Sequence, residues 1–184
     1  MKQLATIVSI LGMFLAVSGA AYGGDEFVFV ANLSGAQEVV SPVPPDEGPL
    51  LAPQPGIETD TAGRFRISFD AALTSAQFRL RVRNGVGITQ AHLHCAPAGV
   101  NGLITVFLFD LVPDPGVDVN GRLSEGELTN ASFEAGVSCT ATCGKTVNNI
   151  ASLRAAILDG CIYANVHSVA NPAGEVRGQV WRVK

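Results

Sequence analysis

The sequence predicts an all-β fold, a β-sandwich or Greek-key barrel with one short helix in the C-terminal third. Two runs, 64–70 and 77–83, alternate strictly between apolar and polar residues, which is the period of a half-exposed strand. Turn-forming residues separate several further short apolar runs. Helical periodicity is clear at one place, near residues 150–158. Short strands, frequent turns and a single late helix together favour an all-β domain.

The first 23 residues have the layout of a secretory signal peptide. Lys2 precedes an apolar run at 4–17, and small residues follow it up to Gly23. The run is short for a membrane span, and no second long apolar segment appears. We therefore expect a secreted or periplasmic protein that has no membrane span once residues 1–23 are removed, and whose residues 24–184 form one domain.

The strands are taken in chain order. A strand rich in Phe and Val at 27–33 precedes a surface loop at 41–56, whose prolines exclude a sheet interior. The two alternating runs form a hairpin, and a turn at 84–87 leads into a third strand at 90–95. The apolar run 103–109 has the composition of a strand that is buried on both faces.

The C-terminal third holds the helix and the last two strands. The acidic segment 110–127 is expected to form turns. The helix has a preceding asparagine as N-cap, and Gly160 is placed to end it. Its apolar stripe consists of Ile150, Leu153, Ile157 and Leu158. Two strands at 162–168 and 175–183, joined by an Asn-Pro-Ala-Gly turn, complete the domain.

Four cysteines, an even number in an exported chain, predict two disulfides. One pairing closes a small loop between Cys139 and Cys143 and leaves Cys95 with Cys161. The alternative pairs Cys95 with either Cys139 or Cys143. The spacing is not Cys-x-x-Cys, so the sequence indicates neither a thioredoxin-type redox site nor a zinc knuckle.

The charge pattern restricts the partners. The chain has a net charge of −4 at neutral pH and contains no run rich in Lys or Arg. Nucleic acid and anionic membrane surfaces are therefore poor partner candidates. An unidentified protein or small ligand is the remaining expectation.

All three histidines lie on the polar side of strand-like segments. His92 and His94 share one face of their strand because side chains alternate with a period of two. His167 has the same parity in a later strand, so the three imidazoles converge on one exposed patch if the strands are neighbours. Three nitrogen ligands with one open position suit Zn²⁺ or Cu²⁺. The alternative is that these histidines are surface residues bonded to backbone, Asn165 or Glu175.

Asn165, Glu175 and Arg177 are candidates for residues that support the histidines. Glu175 and Arg177 lie two apart on the last strand, so they face the same side. Their functional interpretation is that a carboxylate orients a histidine ring. Their structural interpretation is an ion pair across strands at the sheet surface, worth a fraction of a kcal/mol.

Four ordered motifs resemble one known family. They are Leu-Ser-Gly-Ala-Gln-Glu-Val at 33–39, Gln-Ala-His-Leu-His at 90–94 with Pro-Ala-Gly-Val-Asn-Gly at 97–102, Tyr-Ala-Asn-Val-His at 163–167, and Asn-Pro-Ala-Gly-Glu-Val-Arg-Gly-Gln at 171–179. Together they look like the CHRD domain, the module named for chordin and found in exported bacterial proteins. The resemblance implies a Greek-key β-sandwich of immunoglobulin-like or superoxide-dismutase-like shape, with no established general activity.

These observations predict an exported binding or interaction module that holds Cu or Zn through three histidines. The competing interpretation is a structural or adhesive extracellular protein that binds no metal. A redox enzyme of dismutase-like shape is disfavoured, because a two-metal site needs more imidazoles than the three present. The sequence contains no Gly-x-Ser-x-Gly motif, the pattern that would indicate a hydrolase. We therefore do not expect an enzyme.

Overall fold

The computed structural model describes residues 28–40 and 54–183, and most of its regular structure is β. The strands are β1 (Val28–Ser34), β2 (Val39–Val40), β3 (Gln54–Pro55), β4 (Ala62–Phe69), β5 (Ser75–Cys95), β6 (Leu103–Phe109), β7 (Val117–Thr129), β8 (Ile162–Ser168), β9 (Val176–Gln179) and β10 (Trp181–Arg182). The helices are α1 (Thr140–Cys143) and α2 (Ile150–Leu158). The all-β class is confirmed.

Five strands close into a barrel. Antiparallel pairings run from β1 through β4, β5, β8 and β9, and β9 returns to β1 where Arg177 lies opposite Ser34. Strands β6 and β7 add to β5, and β10 adds to β1. These eight strands thus form one continuous sheet that closes on itself, which agrees with a barrel and not with the sandwich of two separate sheets that the sequence analysis also predicted.

Strand β5 joins the two halves of the barrel. The sequence predicted two strands here with a turn between them, but residues 75–95 form one long strand. Asn84 and Gly87 have positive φ values of 52° and 58°, and the register against β7 shifts beside them. The predicted turn is therefore a bulge, which bends the strand without reversing it. The first part of β5 pairs with β4 and β7, and the last part with β8 and β6.

The core lies inside the barrel, and strand alternation fills it. Phe65, Ile67 and Phe69 of β4 are fully buried, while Arg64 before them and Arg66 between Phe65 and Ile67 are exposed. Leu80 of β5 contributes from the neighbouring strand. Burying one large apolar side chain contributes about 1.5–3 kcal/mol, so this alternation stabilises the sheet and fixes its register.

Two segments differ from the sequence prediction. The acidic segment was expected to form turns, but it contains the 13-residue strand β7. Strand β7 pairs with β5 along almost its whole length. Strand β6 was expected to be buried on both faces, but Leu103 at its start is exposed. In both cases pairing with β5 overrides the local composition.

The helical segment covers one end of the barrel. In α2 the side chain of Asn149 accepts a hydrogen bond from the Ser152 N–H, and Gly160 follows the helix with a φ of 69°. The predicted cap and stop are therefore confirmed. Ile150 and Leu153 pack into the core.

The two disulfides attach this segment to the barrel. They join Cys95 to Cys139 and Cys143 to Cys161. The local pairing of Cys139 with Cys143 is therefore wrong, and one of the alternative pairings is present. Cys139 is the N-cap of α1 and Cys143 is its last residue, and each is bonded to a different cysteine at the end of a strand or beside one.

Some predictions fall outside the described residues. The signal peptide at 1–23, the domain start at residue 24 and most of the proline-rich loop belong to this group. Within residues 28–40 and 54–183, no helix combines the length and the hydropathy that a membrane crossing requires.

Candidate metal centre

The three histidines lie on one face of neighbouring strands. In the pairing of β5 with β8, His92 is opposite Asn165, and Gln90 is opposite His167. Residues directly opposite in a sheet point to the same side, so His92 and His167 are diagonal neighbours on one face. The intervening Ala91 and Leu93 point into the barrel core.

The rings form a compact group, which we call the histidine cluster (His92, His94 and His167). The ring centroids lie 5.4 Å apart for His92 and His94, 5.0 Å for His92 and His167, and 6.2 Å for His94 and His167. One ligand nitrogen from each ring lies within 4.8 Å of the other two. The structure thus brings together the three residues that the sequence selected.

The histidine cluster is buried, so the expectation of an exposed patch is wrong. The exposed fractions are 0% for His92, 8% for His94 and 6% for His167. The ring of Phe107 stands edge-on against His92, with centroids 4.5 Å apart. Tyr163 stacks on His94 at 4.8 Å. Parity predicted the face that the histidines occupy, but the residues that cover this face come from elsewhere in the chain.

Two backbone carbonyls orient the rings. His94 Nδ1 donates to the Gly102 carbonyl and His167 Nδ1 donates to the Pro172 carbonyl, each at 3.0 Å. In both rings Nε2 therefore carries the lone pair when the imidazole is neutral. His92 Nδ1 lies 3.2 Å from His167 Nε2. The Nε2 atoms of His92 and His94 are buried and have no hydrogen-bond partner among the described residues.

Burial keeps the imidazoles neutral. Desolvation, with a smaller effect of the neighbouring rings, lowers the pKa of His92 from 6.5 to about 3. Desolvation also lowers the pKa of His94 to about 4, although the bond to the Gly102 carbonyl opposes the shift. The pKa of His167 is lowered by the same cause. At neutral pH all three rings therefore offer lone pairs rather than positive charge.

The predicted supporting residues have other roles. Glu175 accepts hydrogen bonds from Thr59, Ser168 and Asn171, and none of these donors is a histidine ring. Asn165 Nδ2 donates to Glu38 at 2.5 Å and to the Val176 carbonyl at 3.3 Å. The carbonyls of the loops, not a carboxylate, therefore orient the rings. The prediction that Glu175 and Arg177 form ion pairs across strands at the sheet surface is also wrong, because both residues are buried.

Arg177 fastens the loop that covers the cluster. Its guanidinium donates to the side chain of Asn101 and to the carbonyls of Pro97 and Val100, at 2.9–3.1 Å. It also lies 3.5 Å above the ring of Tyr163, which stacks on His94. This planar fork and cation–π contact hold the loop and the ring together.

Two residues of the site were missed by the sequence analysis. Tyr163 has the parity of Asn165 and His167, so the same period-two argument identifies it. Glu38 is buried behind Asn165, and desolvation raises its pKa to about 7 against the opposing effect of Arg177. Glu38 follows β1 in a different part of the chain, and no local spacing connects it with the histidines.

The fold and the site define a small disulfide-linked β-barrel domain with a buried polar cluster on one wall. The family model of the CHRD domain matches residues 29–180, so the chain belongs to the CHRD family. Searches of curated proteins and of solved structures gave no match.

Proposed function

We propose that this protein is an exported binding module that holds one transition metal ion, Zn²⁺ or Cu²⁺, in the histidine cluster. The carrying observation is the 3.2 Å separation of His92 Nδ1 and His167 Nε2. Two nitrogens bound to one tetrahedral ion at 2.0–2.1 Å lie about 3.3 Å apart. His94 Nε2, a buried nitrogen without a partner among the described residues, supplies the third ligand.

The chemistry of the ligand set supports this proposal. The buried Nε2 of His94 lacks a hydrogen bond among the described residues, which destabilises the folded protein by about 1–3 kcal/mol, and an ion bound to this nitrogen removes the penalty. The carbonyls of Gly102 and Pro172 hold two rings from behind, which is the usual support of a metal-bound histidine. Three imidazole nitrogens favour zinc or copper over magnesium or calcium.

The proposed role is binding rather than catalysis. His92 and His94 are both buried, so a substrate would have to displace the covering loop to reach an ion. Two disulfides and membership of the CHRD family support export to the periplasm or the cell exterior. In this role the barrel binds a partner protein or a small ligand, and the ion stabilises the wall of the barrel.

Titration calorimetry on metal-free protein without a histidine tag tests the proposal. We expect one Zn²⁺ or Cu²⁺ per chain for the native protein and for Gln90→Ala, whose side chain shares the face but has no imidazole. The double variant His92→Ala/His94→Ala is expected to bind neither ion. Electron paramagnetic resonance of the Cu²⁺ form gives a second readout, since coordinated imidazole nitrogens add nitrogen superhyperfine splitting to the copper signal. Equal heats for native and double variant, or none for either, would favour the metal-free structural or adhesive role.

A further inference from the structure

The outer face of the β4, β5 and β7 layer carries six arginines, all of them exposed. We call this surface the arginine face; its members are Arg64, Arg66, Arg79, Arg81, Arg83 and Arg122. The register places Arg64, Arg81 and Arg122 in one row across the three strands. In the next row Arg66 lies directly opposite Arg79.

This concentration of positive charge opposes the overall balance of the chain. The whole sequence has 12 Lys and Arg against 16 Asp and Glu, so half of its cations lie on this one face. Glu125 pairs with both Arg79 and Arg122, at 2.9 Å and 2.7 Å. Within residues 28–40 and 54–183, the other four arginines have no carboxylate within ion-pair distance.

Repulsion within the arginine face destabilises the folded protein when no ligand is bound. Like charges directly opposite on neighbouring strands are destabilising, and Arg81 faces an arginine on each side. Neutral residues with strand propensity would satisfy the sheet equally well at these exposed positions. A surface that keeps such repulsion is explained by a ligand of the opposite charge, whose binding relieves it.

We propose that the arginine face binds an anionic polysaccharide. The planar guanidinium matches carboxylate and sulfate groups with two parallel hydrogen bonds, and neighbouring strands repeat this donor about every 4.8 Å. The single tryptophan of the chain, Trp181, is exposed and lies opposite Val30, which in turn lies opposite Arg66. An exposed indole on the same face as the arginines offers an apolar platform beside the charges.

The surroundings favour a polysaccharide over nucleic acid. The two disulfides belong to an oxidising compartment outside the cytosol. Proteins that bind single-stranded nucleic acid stack successive bases on several aromatic side chains. The exposed large hydrophobic residues of the described part of the chain include one aromatic side chain, Trp181. The proposal stands independently of the metal site, which lies on a different stretch of β5.

The test compares Arg81→Gln with Lys145→Gln, each removing one positive charge from the full-length protein. Lys145 pairs with Asp159 beside the helices and is absent from the arginine face. Binding to polygalacturonate is measured by titration calorimetry at low salt, with neutral dextran and single-stranded DNA of equal charge as comparisons. We expect Arg81→Gln to bind the polysaccharide about tenfold more weakly and Lys145→Gln to bind like the native protein.

A thermal melt separates binding from folding. Arg81→Gln is expected to raise the melting temperature, because it removes two like-charge contacts, while its affinity falls. Trp181→Ala is expected to weaken polysaccharide binding without raising the melting temperature. The proposal is overturned if the native protein fails to bind polygalacturonate, if the two charge variants bind it equally, or if DNA binds more tightly.

Discussion

Glu38 is a buried acidic side chain that accepts a hydrogen bond from Asn165, the residue opposite His92 in the sheet. Burial raises its pKa from 4.5 to about 7, although Arg177 and Asn165 favour the charged form. Glu175 has the opposite behaviour: its hydrogen bonds from Thr59, Asn171 and Ser168 outweigh desolvation and lower its pKa. Two carboxylates on neighbouring segments therefore couple folding to pH with opposite signs.

The first prediction concerns Glu38→Gln. Because the pKa of Glu38 is higher in the folded state, the folded state binds the extra proton, and stability is lost as pH rises from 4.5 to 7. The loss is at most about 3 kcal/mol. The amide of glutamine cannot titrate, so the Glu38→Gln variant should not lose this stability as the pH rises. The variant should therefore be more stable than the native protein at pH 8 but not at pH 4. Urea unfolding at both pH values measures this.

The matched variant is Glu175→Gln. A lowered folded-state pKa adds stability above the unfolded value, so this substitution should lose stability at pH 8. If both variants gain stability at pH 8, or both lose it, the opposite pKa shifts assigned to Glu38 and Glu175 are wrong.

Arg177 supports the second prediction at the residue scale. Lysine keeps the charge but has no planar fork, so Arg177→Lys leaves at least one of the acceptors at Pro97, Val100 and Asn101 unpaired. We expect a loss of about 2–3 kcal/mol in the free energy of unfolding. Arg182→Lys at an exposed position of β10 is the comparison, with an expected change below about 0.5 kcal/mol. A loss of equal size in both variants would show that the hydrogen bonds of the Arg177 guanidinium to the loop do not contribute specifically to stability.

At the scale of elements, the barrel closes where β9 meets β1, and Gly178 allows this contact. A Cβ at position 178 would lie 2.3 Å from the carbonyl oxygen of Asn32, which is backbone and has little freedom to move. The sequence analysis placed no constraint of this kind on the glycine, because the β1 backbone that approaches it is more than 140 residues away in the chain.

The third prediction is that Gly178→Ala destabilises the protein by about 3 kcal/mol or more. Gly121→Ala in β7 is the control, because a Cβ there meets no atom within 4 Å. Alanine at this half-buried strand position has open space for its Cβ and should be neutral or stabilise by about 0.5 kcal/mol. Chemical denaturation measures both variants, and similar stabilities would show that β1 and β9 do not need the glycine.

Predicting strands from alternation succeeded for individual elements and failed where elements join. The apolar residues of 64–70 and 77–83 identified the strands and their inner faces. The joining of two predicted strands into β5 depends on Asn84 and Gly87 forming a bulge, and the same residues commonly form a reversing turn. Local composition contains no information that separates these outcomes.

At the scale of the whole molecule, parity identified the face of the histidine cluster but not its burial. The cover is provided by Phe107 and Tyr163 and by a loop held by Arg177, which come from three separate segments. The arginine face was missed for a related reason. Its arginines alternate with apolar residues, so no run of charge exists in the sequence, and only the pairing of three strands brings them together.

The fourth prediction concerns the two disulfides. In the loop-entropy description, a disulfide stabilises more as the loop that it closes lengthens. The Cys95–Cys139 bond spans 44 residues and the Cys143–Cys161 bond spans 18. Paired replacement by alanine should therefore reduce stability by about 4 and about 3 kcal/mol, respectively. Thermal melts of the two double variants measure the order, and the reverse order would show that local packing outweighs loop closure.

The last prediction joins the proposed metal site to the stability of the barrel. The three histidines have lowered pKa values in the folded state, so below pH 6.5 the unfolded chain binds more protons, and stability falls toward pH 4. Glu38 has the opposite slope over part of this range, so the measurement is made in the Glu38→Gln background.

A bound ion should change this profile in a defined way. At an ion concentration 100 times the dissociation constant, binding adds about 2.7 kcal/mol to the stability at pH 7. The gain should stay nearly constant from pH 7.5 to 4.5, because the lowered pKa values keep the imidazoles of the folded state neutral and protons do not compete with the ion for their lone pairs. Thermal melts from pH 4.5 to 7.5, with and without Zn²⁺, measure both effects. Identical midpoints at pH 7 would show that the buried imidazoles hold no ion, and a gain that disappears as the pH falls through about 6.5, the pKa of an exposed histidine, would place the ion at another site.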